Sequence, residues 1–556
     1  MSDWNTLLPS SHTDTFTRDR LPPKAQWPVF VADLPELNYP DTLNAAAELV
    51  DRHVREGRGQ RVALHGMTDI DQHSGAFSWT YAELQDKVNR IAQVLTQDMG
   101  LVSGNRILLR GGNSPMMAAC LLASMKAGLV AVPTMPLLRA GELATIIEKA
   151  QVSAALCDSL LADDLHQCLS SGHAHHAPSL QQMVTFRSGA ADGLEQRMQR
   201  HSGDFAAHPT SRDDVCLIAF TSGTTGKPKG TLHFQRDVLA MCDLFPRHIL
   251  RMTENDVVCG TPPIAFTFGL GGLLAFALRF AASTVLLEKH SPETLLRTVA
   301  QYKATQCYTA PTMYRQMAPL AKDFDLSSLK HPVSAGEALP DATRQLWQQA
   351  TGITMTDGIG GTEVIHIYIS SSGDQVRPGS IGQVVPGYTA QIVGDDMQPV
   401  PPGTVGRLAV RGPTGCKYLD DPRQQDYVKG GWNLPGDTFV MDADGYFSYQ
   451  ARNDDMIISA GYNIAGPEVE SALLQHPAVA ECGVVGMPDE DRGQIVQAFV
   501  VLKPGHAAGE AMAKTLQEHV KQTIAPFKYP RKVVFLASLP RTETGKLQRF
   551  KLRQIS

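Results

Sequence analysis

A tract of hydroxyls, glycines and lysines constrains this chain more than any other segment: Thr221-Ser-Gly-Thr-Thr-Gly-Lys-Pro-Lys-Gly230. Small residues let backbone N–H groups turn toward an anion, and Gly223 and Gly226 permit backbone angles that other residues avoid. Lys227 and Lys229 add positive charge. The tract therefore predicts a loop that binds a triphosphate.

The surroundings of this loop indicate a particular kind of nucleotide-binding fold. The run Val215-Cys-Leu-Ile-Ala-Phe220 directly before it is typical of a buried strand that ends at a sheet edge. The common P-loop has four residues between its first glycine and its Gly-Lys pair, whereas only Thr224 and Thr225 separate the two glycines here. A different fold is predicted, with a flexible Ser/Thr/Gly linker as the alternative.

The composition indicates an ordinary globular enzyme with several domains. The chain has 556 residues, of which 43% are hydrophobic and 19% are charged, so it can form several cores. The net charge of −6 provides no general positive field for nucleic acid or an anionic membrane. We therefore expect neither partner, and we expect a monomer or a homodimer.

The cysteines and the first residues favour a cytoplasmic location. Nine cysteines are scattered along the chain without a C-x-x-C pair, which suggests neither a disulfide framework nor a zinc site. Residues 1–28 lack the apolar core of a secretory signal. The longest apolar stretch, 115–138, is interrupted by Lys126, Pro133 and Pro136, so it predicts a helix that leads into a strand.

The order of patterns predicts a large α/β N-terminal domain with several subdomains and a small α+β C-terminal domain. From residue 42 to about 310, helical patterns alternate with short apolar runs, as in layered α/β folds. After Gly379 short strands and turns predict a β-rich subdomain, and beyond Arg452 the pattern predicts a compact α+β unit. His173, His175 and His176 lie in a polar stretch and are interpreted as a solvated loop rather than a metal site.

Further tracts combine small residues with charged or polar side chains suited to a nucleotide and its transferring group. They are Ser334-Ala-Gly-Glu-Ala-Leu-Pro340, Thr356-Asp-Gly-Ile-Gly-Gly-Thr-Glu363, Gly431-Trp-Asn-Leu-Pro-Gly-Asp437, Ala451-Arg-Asn-Asp-Asp-Met456, Gly461-Tyr-Asn-Ile-Ala-Gly-Pro-Glu-Val-Glu470 and Pro540-Arg-Thr-Glu-Thr-Gly-Lys-Leu547.

In this order, the tracts resemble those of the adenylate-forming superfamily of acyl-CoA synthetases, adenylation domains and luciferases, over residues 42–553. The resemblance implies an N-terminal adenylation domain, 1–453, and a mobile C-terminal lid domain, 454–556, with a hinge at Asp454. It implies two half-reactions: a carboxylate attacks the α-phosphate of ATP, giving acyl-AMP and pyrophosphate, and a thiol then displaces AMP. ATP, Mg²⁺ and coenzyme A are the implied cofactors and co-substrates.

The resemblance also assigns roles to individual residues. The β- and γ-phosphates would be bound by the loop residues Thr221, Ser222, Gly223, Thr224, Thr225 and Lys229. The adenine would be bordered by Gly336, Glu337, Ala338, Asp357, Gly358 and Ile359, and the ribose held by Asp437 and Arg452. A structural ion pair is the alternative for the last two residues.

Three residues are implied to be catalytic. Lys546 would reach the carboxylate and the α-phosphate, Thr362 would contact the α-phosphate, and Glu363 would be the magnesium-linked carboxylate. Gly461 and Tyr462 resemble the loop that lines the thiol tunnel during the second half-reaction. A solvated surface role is the alternative for Lys546 and for Glu363.

Two tracts favour a small aromatic acid as the substrate. Residues 262–272 and 357–367 resemble those of benzoate- and 2-aminobenzoate-CoA ligases more than those of acetate or long-chain enzymes. Phe266, Thr267, Phe268 and His366 are the predicted substrate-binding residues. Filling of the core is the alternative for the two phenylalanines and His366.

We predict a 2-aminobenzoate-CoA ligase first and a benzoate-CoA ligase second. The alternatives are a medium-chain fatty acid-CoA ligase, a stand-alone adenylation enzyme that loads a carrier protein, and a non-enzymatic ligand sensor. A sensor is disfavoured because the phosphate loop and the residues implied to be catalytic are all present.

Overall fold

The structure is a computed structural model that describes residues 3–66, 76–222, 228–452, 456–459, 462–489, 492–524, 526–541 and 547–555. It confirms the predicted fold class: a large α/β N-terminal domain that includes a β-rich subdomain precedes a small α+β C-terminal domain. The boundary predicted between residues 453 and 454 lies outside the described residues and stays a prediction.

The first large sheet is parallel in its centre and antiparallel at both edges. Its strands, in spatial order, are Gln383–Val384, Ile367–Ser371, Thr356–Gly360, His331–Ser334, Gln306–Thr309, Val257–Gly260, Ser283–Leu286, Val62–Gly66 and Phe77–Thr80. Parallel strands present their carboxyl ends at one edge, and ligands bind there in open α/β sheets.

The second large sheet contains the strand that leads into the predicted phosphate loop. Its strands, in spatial order, are Gln182–Phe186, Ala154–Asp158, Arg106–Arg110, Val130–Thr134, Val215–Ser222 and Pro228–Phe234. All neighbours are parallel except the last two, which form an antiparallel hairpin. The strand predicted over 215–220 is therefore confirmed, and it extends by two residues into the loop tract.

The β-rich subdomain follows, as the short strands after Gly379 predict. Its strands, in spatial order, are Val428–Lys429, Trp432–Asn433, Gly406–Arg411, Asp437–Met441 and Phe447–Arg452, and Thr389–Val393 pairs with Gly406–Arg411. In the C-terminal domain the order is Tyr462–Ile464, Ile457–Ser459, Gly493–Leu502 and Val479–Asp489, with Lys532–Phe535 beside Gly493–Leu502.

Helices cover the sheets and supply much of the core. The α-helices are Phe16–Asp19, Arg52–Arg55, Tyr81–Gln93, Pro115–Lys126, Ala140–Ala150, Ala162–Leu169, Leu194–Met198, Gln235–Leu244, Thr267–Leu270, Phe276–Arg279, Pro292–Tyr302, Pro311–Met317, Asp341–Thr351, Gln424–Tyr427, Gly466–Leu474, Glu510–Thr523 and Arg549–Leu552. Single π-helical turns lie at Ala47–Asp51, Val94–Asp98, Phe245–Ile249 and Gly271–Ala275. Short 3₁₀ turns lie at Lys24–Gln26, Pro35–Leu37, Ser159–Leu161, Ala318–Asp323, Thr362–Val364, Gly373–Gln375 and Pro526–Lys528.

Local capping explains where two of these helices begin. The Thr80 hydroxyl accepts a hydrogen bond from the Glu83 N–H, and the Glu83 carboxylate accepts one from the Thr80 N–H. Ser114 accepts from Met117, and Pro115 follows at the first helical position. The second helix ends at Lys126 and the strand Val130–Thr134 follows, so the stretch 115–138 is a helix that leads into a strand, as predicted.

Among the described residues, no helix is both long and apolar enough to cross a membrane. The same part of the chain contains no cluster of three or more histidine, cysteine or acidic residues arranged to hold a metal ion.

Candidate active site

A β-hairpin places the predicted phosphate loop at the end of the second large sheet. Val215–Ser222 and Pro228–Phe234 pair antiparallel, with Thr221 opposite Lys229. The connecting residues 223–227, and with them Gly223, Thr224 and Thr225, lie outside the described residues, as does the Ser222 side chain. The structure therefore fixes the two ends of the loop.

Tyr418 connects this hairpin to Glu363. Lys229 Nζ donates a hydrogen bond of 3.1 Å to the Tyr418 hydroxyl, which donates one of 2.6 Å to Glu363 Oε1. Burial and the nearby Glu363 carboxylate raise the pKa of Tyr418, so its hydroxyl stays a donor. Sequence analysis missed Tyr418, because nothing around it in the sequence indicates that it reaches residues 189 and 55 positions away.

Backbone pairing explains why Tyr418 lies there. The Leu232 N–H donates to Lys417 O at 2.7 Å, and the Leu419 N–H donates to Gly230 O at 2.8 Å. The segment that contains Tyr418 thus continues the sheet beyond Pro228–Phe234. Its phenol ring lies under the Lys229 ammonium, 5.0 Å from the ring centroid.

A fully buried cluster of a lysine, an aspartate and a histidine lies next to Tyr418 in the fold. Lys417 Nζ is 3.0 Å from Asp237 Oδ2, and His233 Nδ1 is 3.7 Å from the same oxygen, with all three side chains at 0% exposure. Burial alone would raise the pKa of Asp237, but the Lys417 ammonium lowers it to about 2. Burial lowers the pKa of His233, opposed by Asp237 and by the backbone of Thr362. The Lys417–Asp237 pair therefore ties the segment that contains Tyr418 to the first turn of the helix Gln235–Leu244.

Glu363 fits the predicted metal role. It lies in the 3₁₀ turn Thr362–Val364, directly after the strand Thr356–Gly360. Tyr418 binds Oε1, while a Cβ atom at Gly361 would lie 3.5 Å from Oε2. Magnesium in phosphoryl-transfer sites is held by one or two carboxylates together with substrate phosphates. A single oriented carboxylate beside a phosphate loop matches that donor set.

The predicted adenine-binding residues come together at the ends of two neighbouring strands. Ser334 and Asp357 are register partners on the parallel strands His331–Ser334 and Thr356–Gly360. The loop that contains Gly336, Glu337 and Ala338 begins directly after the first strand, and the second contains Gly358 and Ile359. Gly336 has a φ of 89°, which turns the loop at this point.

Asp357 is a buried acid in this region. Burial raises its pKa to about 7, although Arg344 lies 3.7 Å away and the Gly358 N–H donates a hydrogen bond of 3.0 Å. The predicted ribose-binding pair lies on the β-rich sheet, where Asp437 is directly opposite Arg452 on antiparallel strands. Asp437 is buried, and the Arg452 side chain lies outside the described part.

Three aromatic rings surround the predicted acid-binding residue His366, and one of them is that of a second predicted residue, Phe268. The centroid of its ring lies 5.7 Å from that of Phe268, 4.5 Å from that of Phe276 and 5.8 Å from that of Phe245. Tyr308 contacts Phe268, and their centroids are 6.0 Å apart. Phe266 and Thr267 begin the short helix that carries Phe268. Sequence analysis missed Phe245, Phe276 and Tyr308, since separate apolar tracts supply them.

His366 is buried with a defined protonation state. Its Nε2 lies 3.3 Å from the carbonyl oxygen of Phe268, and burial lowers its pKa to about 3, so the ring is neutral at physiological pH. The proton on Nε2 is the one that this carbonyl accepts, which leaves Nδ1 as an acceptor. Among the described residues no hydrogen-bond partner lies on Nδ1.

The C-terminal residues with predicted roles are only partly described. Lys546 and Gly461 lie outside the described residues, and of Tyr462 the structure gives the backbone, paired with Ser459 in a hairpin. Arg541 and Leu547 form an antiparallel bridge, so the two ends of the segment 542–546 are adjacent. The catalytic and thiol-site assignments therefore stay predictions.

The sequence of the chain matches a known enzyme family. The sequence model of AMP-binding enzymes matches residues 50–417, and that of the AMP-binding enzyme C-terminal domain matches residues 468–546. The chain is an AMP-binding enzyme.

Relatives of this AMP-binding enzyme join acids to coenzyme A. It is 35% identical to benzoate–CoA ligase of Thauera aromatica, over 93% of this chain and 97% of that protein. It is 31% identical to the human mitochondrial acyl-coenzyme A synthetase ACSM3, over 93% and 90% of the two chains. The crystal structure of the anthranilate CoA ligase AuaEII in complex with anthranoyl-AMP superposes with a TM-score of 0.87 at 31% identity, covering 94% and 98%.

These similarities establish the reaction class of this AMP-binding enzyme. It is an AMP-forming ligase of acyl or aryl acids, with ATP and coenzyme A as its substrates. The predicted resemblance to the adenylate-forming superfamily, and to its benzoate and 2-aminobenzoate ligases, is confirmed.

Proposed function

We propose that this enzyme activates a small aromatic carboxylic acid, 2-aminobenzoate in the first place and benzoate in the second, and transfers it to coenzyme A. The observation that carries the proposal is the cluster of Phe268, Phe276, Phe245 and Tyr308 around a neutral His366. Phe245, Phe276 and Tyr308 are fully buried in the core, and the partly exposed Phe268 is the ring of this cluster that can contact a planar acid, because offset and edge-to-face ring pairs add to the burial of apolar area.

His366 favours the amino-substituted acid. Its Nδ1 atom is a buried acceptor, and a buried polar atom without a partner costs about 1–3 kcal/mol. The amino group of 2-aminobenzoate is a donor that matches this atom, whereas benzoate offers none. The relative crystallised with anthranoyl-AMP supports 2-aminobenzoate, and the relative named benzoate–CoA ligase supports benzoate.

We propose that different residues bind the different parts of ATP in the first half-reaction. Thr221, Ser222, Thr224, Thr225 and Lys229 hold the β- and γ-phosphates, Asp437 and Arg452 hold the ribose, and the strand ends at Gly336 and Asp357 border the adenine. Bound magnesium, held by Glu363 and the phosphates, would neutralise charge on the leaving pyrophosphate. A carboxylate oxygen bonds to the α-phosphorus while the bond from that phosphorus to the β-phosphate oxygen breaks. Thr362 and Lys546 contact the phosphorus centre and its oxygens.

In the second half-reaction the thiol of coenzyme A loses its proton to water and its sulfur bonds to the acyl carbon. The bond from that carbon to the phosphate oxygen breaks, and AMP leaves. We propose that Gly461 and Tyr462 line the approach of the thiol, after a movement of the C-terminal domain about Asp454. We further propose a cytoplasmic location. The cysteines that the structure describes are free thiols, and all of them except Cys482 are buried, which is consistent with a reducing compartment.

A panel of acids tests the proposal. The enzyme is incubated with ATP, magnesium and 2-aminobenzoate, benzoate, 2-hydroxybenzoate, hexanoate or octanoate, with and without coenzyme A, and pyrophosphate, AMP and the thioester are quantified. We expect the highest kcat/KM for 2-aminobenzoate, and a His366→Phe variant in which benzoate overtakes it. A higher kcat/KM for octanoate than for both aromatic acids would contradict the proposal.

Two alternatives give different results in the same panel. A medium-chain acid is one alternative, because an acyl-coenzyme A synthetase is among the relatives and apolar pockets discriminate by only about 1–3 kcal/mol per methylene. A carrier-loading enzyme would release pyrophosphate without forming a coenzyme A thioester.

A further inference from the structure

An arginine near the C-terminus connects the two domains. Arg541 Nη1 lies 3.2 Å from Glu337 Oε1 in the N-terminal domain, and its Nη2 lies 2.9 Å from Glu481 Oε2 in the C-terminal domain. One guanidinium group therefore binds a carboxylate from each domain. The planar fork of arginine suits this arrangement, because its two terminal nitrogens can donate in different directions.

Glu337 lies in the part of the N-terminal domain that borders the adenine. It follows Gly336, where the chain turns with a φ of 89°, and precedes the helix Asp341–Thr351. The strand before it ends at Ser334, the register partner of Asp357. A contact on Glu337 therefore acts on the loop beside the nucleotide and not on a remote surface.

Arg541 is fixed within its own domain. It pairs with Leu547 in an antiparallel bridge, and Leu547 packs against Gly483, where an added Cβ atom would lie 2.8 Å from Leu547 Cδ2. Gly483 and Glu481 belong to the same strand, Val479–Asp489. The bridge to Leu547, the contact of Leu547 with Gly483 and the ion pair with Glu481 together fix the position of Arg541 relative to that strand.

We propose that Arg541 is a positioning residue that docks the C-terminal domain on the adenine loop through Glu337 and so favours the adenylation half-reaction. The inference rests on the proposed function, because it presupposes acid adenylation as the first step. Arg541 contacts neither the acid nor ATP in this role. It acts by making the docked arrangement of the two domains more populated.

The size of the effect follows from exposure. The side chains of Arg541 and Glu337 are 27% and 18% exposed, so solvent screens the pair only in part. An exposed ion pair contributes about 0.2–1 kcal/mol to the arrangement that it stabilises. A charge-assisted hydrogen bond that is partly shielded from solvent lies at the upper end of that range. We expect Arg541→Gln to lower the rate of adenylation by about two- to fivefold.

The test separates the two half-reactions. Pyrophosphate release from ATP and the preferred acid is measured without coenzyme A, and thioester formation is measured from synthetic acyl-AMP and coenzyme A. Arg541→Gln is expected to slow the first reaction and to leave the second unchanged or faster. Arg541→Lys keeps the positive charge but has a single terminal nitrogen, so its rate of pyrophosphate release is expected to lie between those of the wild type and Arg541→Gln. Equal losses in both half-reactions, or no loss in the first, would overturn the inference.

A matched control and a charge reversal exclude a general loss of stability. Arg297→Gln removes an arginine–glutamate pair on an exposed helix face, with Glu293, and is expected to leave both half-reactions at the wild-type rates. Glu337→Arg and Arg541→Glu are each expected to slow adenylation, and the double variant to recover at least part of the loss. Lack of recovery relative to both single variants would contradict a direct pair.

A readout without turnover tests the contact by itself. Amide hydrogen exchange of residues 335–340 is expected to be faster in Arg541→Gln than in the wild type and in Arg297→Gln, with no ligand added. Unchanged exchange would contradict docking at Glu337. If no acid in the panel releases pyrophosphate with the wild type, the proposed function fails, while the exchange measurement still decides the contact.

Discussion

The Tyr418 hydroxyl donates a 2.6 Å hydrogen bond to Glu363 Oε1. The same hydroxyl accepts a hydrogen bond from Lys229, so it links the predicted metal-binding carboxylate to the predicted phosphate loop. Tyr418 is 1% exposed, and its position is set by backbone hydrogen bonds to the neighbouring strand. The carboxylate is thus oriented by the fold itself, before a nucleotide arrives.

Removal of this hydroxyl is expected to impair the use of magnesium–ATP. A hydrogen bond to a charged group contributes about 1.5–3 kcal/mol, so Tyr418→Phe should lower kcat/KM for ATP by about tenfold or more. It should also raise the magnesium concentration needed for half-maximal pyrophosphate release. Tyr427→Phe is the control, because among the described residues the buried Tyr427 hydroxyl has no hydrogen-bond partner. The same magnesium dependence in Tyr418→Phe and wild type would contradict the role.

Asp357 is expected to make stability depend on pH. Its pKa is about 7 in the folded protein and about 3.9 in an unfolded chain, so between these values only the folded state keeps the proton. Stability therefore falls as pH rises from about 4 to 7, by about 4 kcal/mol at most. The thermal midpoint of Asp357→Asn, relative to wild type, should rise between pH 4 and pH 8. A difference between the thermal midpoints of Asp357→Asn and wild type that does not change with pH would contradict this.

Gly271→Ala is expected to disturb the acid pocket and not the nucleotide site. A Cβ atom there would lie 2.4 Å from His366 Cδ2, too close to fit without displacement of the ring. We expect the KM for the acid to rise by about tenfold, with the KM for ATP unchanged, in steady-state assays of thioester formation. Gly59→Ala, whose Cβ would meet its nearest neighbour at 3.5 Å, is the control. A change in the KM for ATP without a change in the KM for the acid would contradict the placement of His366 in the acid pocket.

Lys546→Ala is expected to slow acyl-AMP formation relative to thioester formation by a far larger factor than any variant at Arg541. Loss of the ammonium should lower the rate of acyl-AMP formation by about a hundredfold or more, because preorganised charge at the reacting phosphate is lost. Thioester formation from supplied acyl-AMP should change little. The two rates are compared by pyrophosphate release and by thioester detection, and similar losses in both would remove the assignment.

Much of the fold could be predicted from the sequence because its patterns are local. The apolar run 215–220 predicts a strand by itself, and the structure extends that strand to Ser222. The interrupted stretch 115–138 predicts a helix followed by a strand, because Lys126 and two prolines limit each element. Such predictions depend on neighbours in the chain and not on distant contacts.

Residues whose role depends on distant contacts could not be found in this way. Lys417 looks like an ordinary surface lysine, yet its ammonium is fully buried and lies 3.0 Å from Asp237, 180 residues earlier in the chain. Tyr418 and Phe276 are likewise defined by partners in other segments. Asp437 and Arg452 were paired by resemblance alone, and the structure adds that they face each other across two strands.

The central claim is that the acid oxygen attacks the α-phosphate of ATP. An acid labelled with ¹⁸O in both carboxylate oxygens is converted to the thioester in unlabelled water, and the AMP is analysed by mass spectrometry. Because the thiol breaks the bond between the acyl carbon and the phosphate oxygen, each AMP should carry one ¹⁸O from 2-aminobenzoate or benzoate. Unlabelled AMP, or ADP with phosphate in place of AMP with pyrophosphate, would contradict the account.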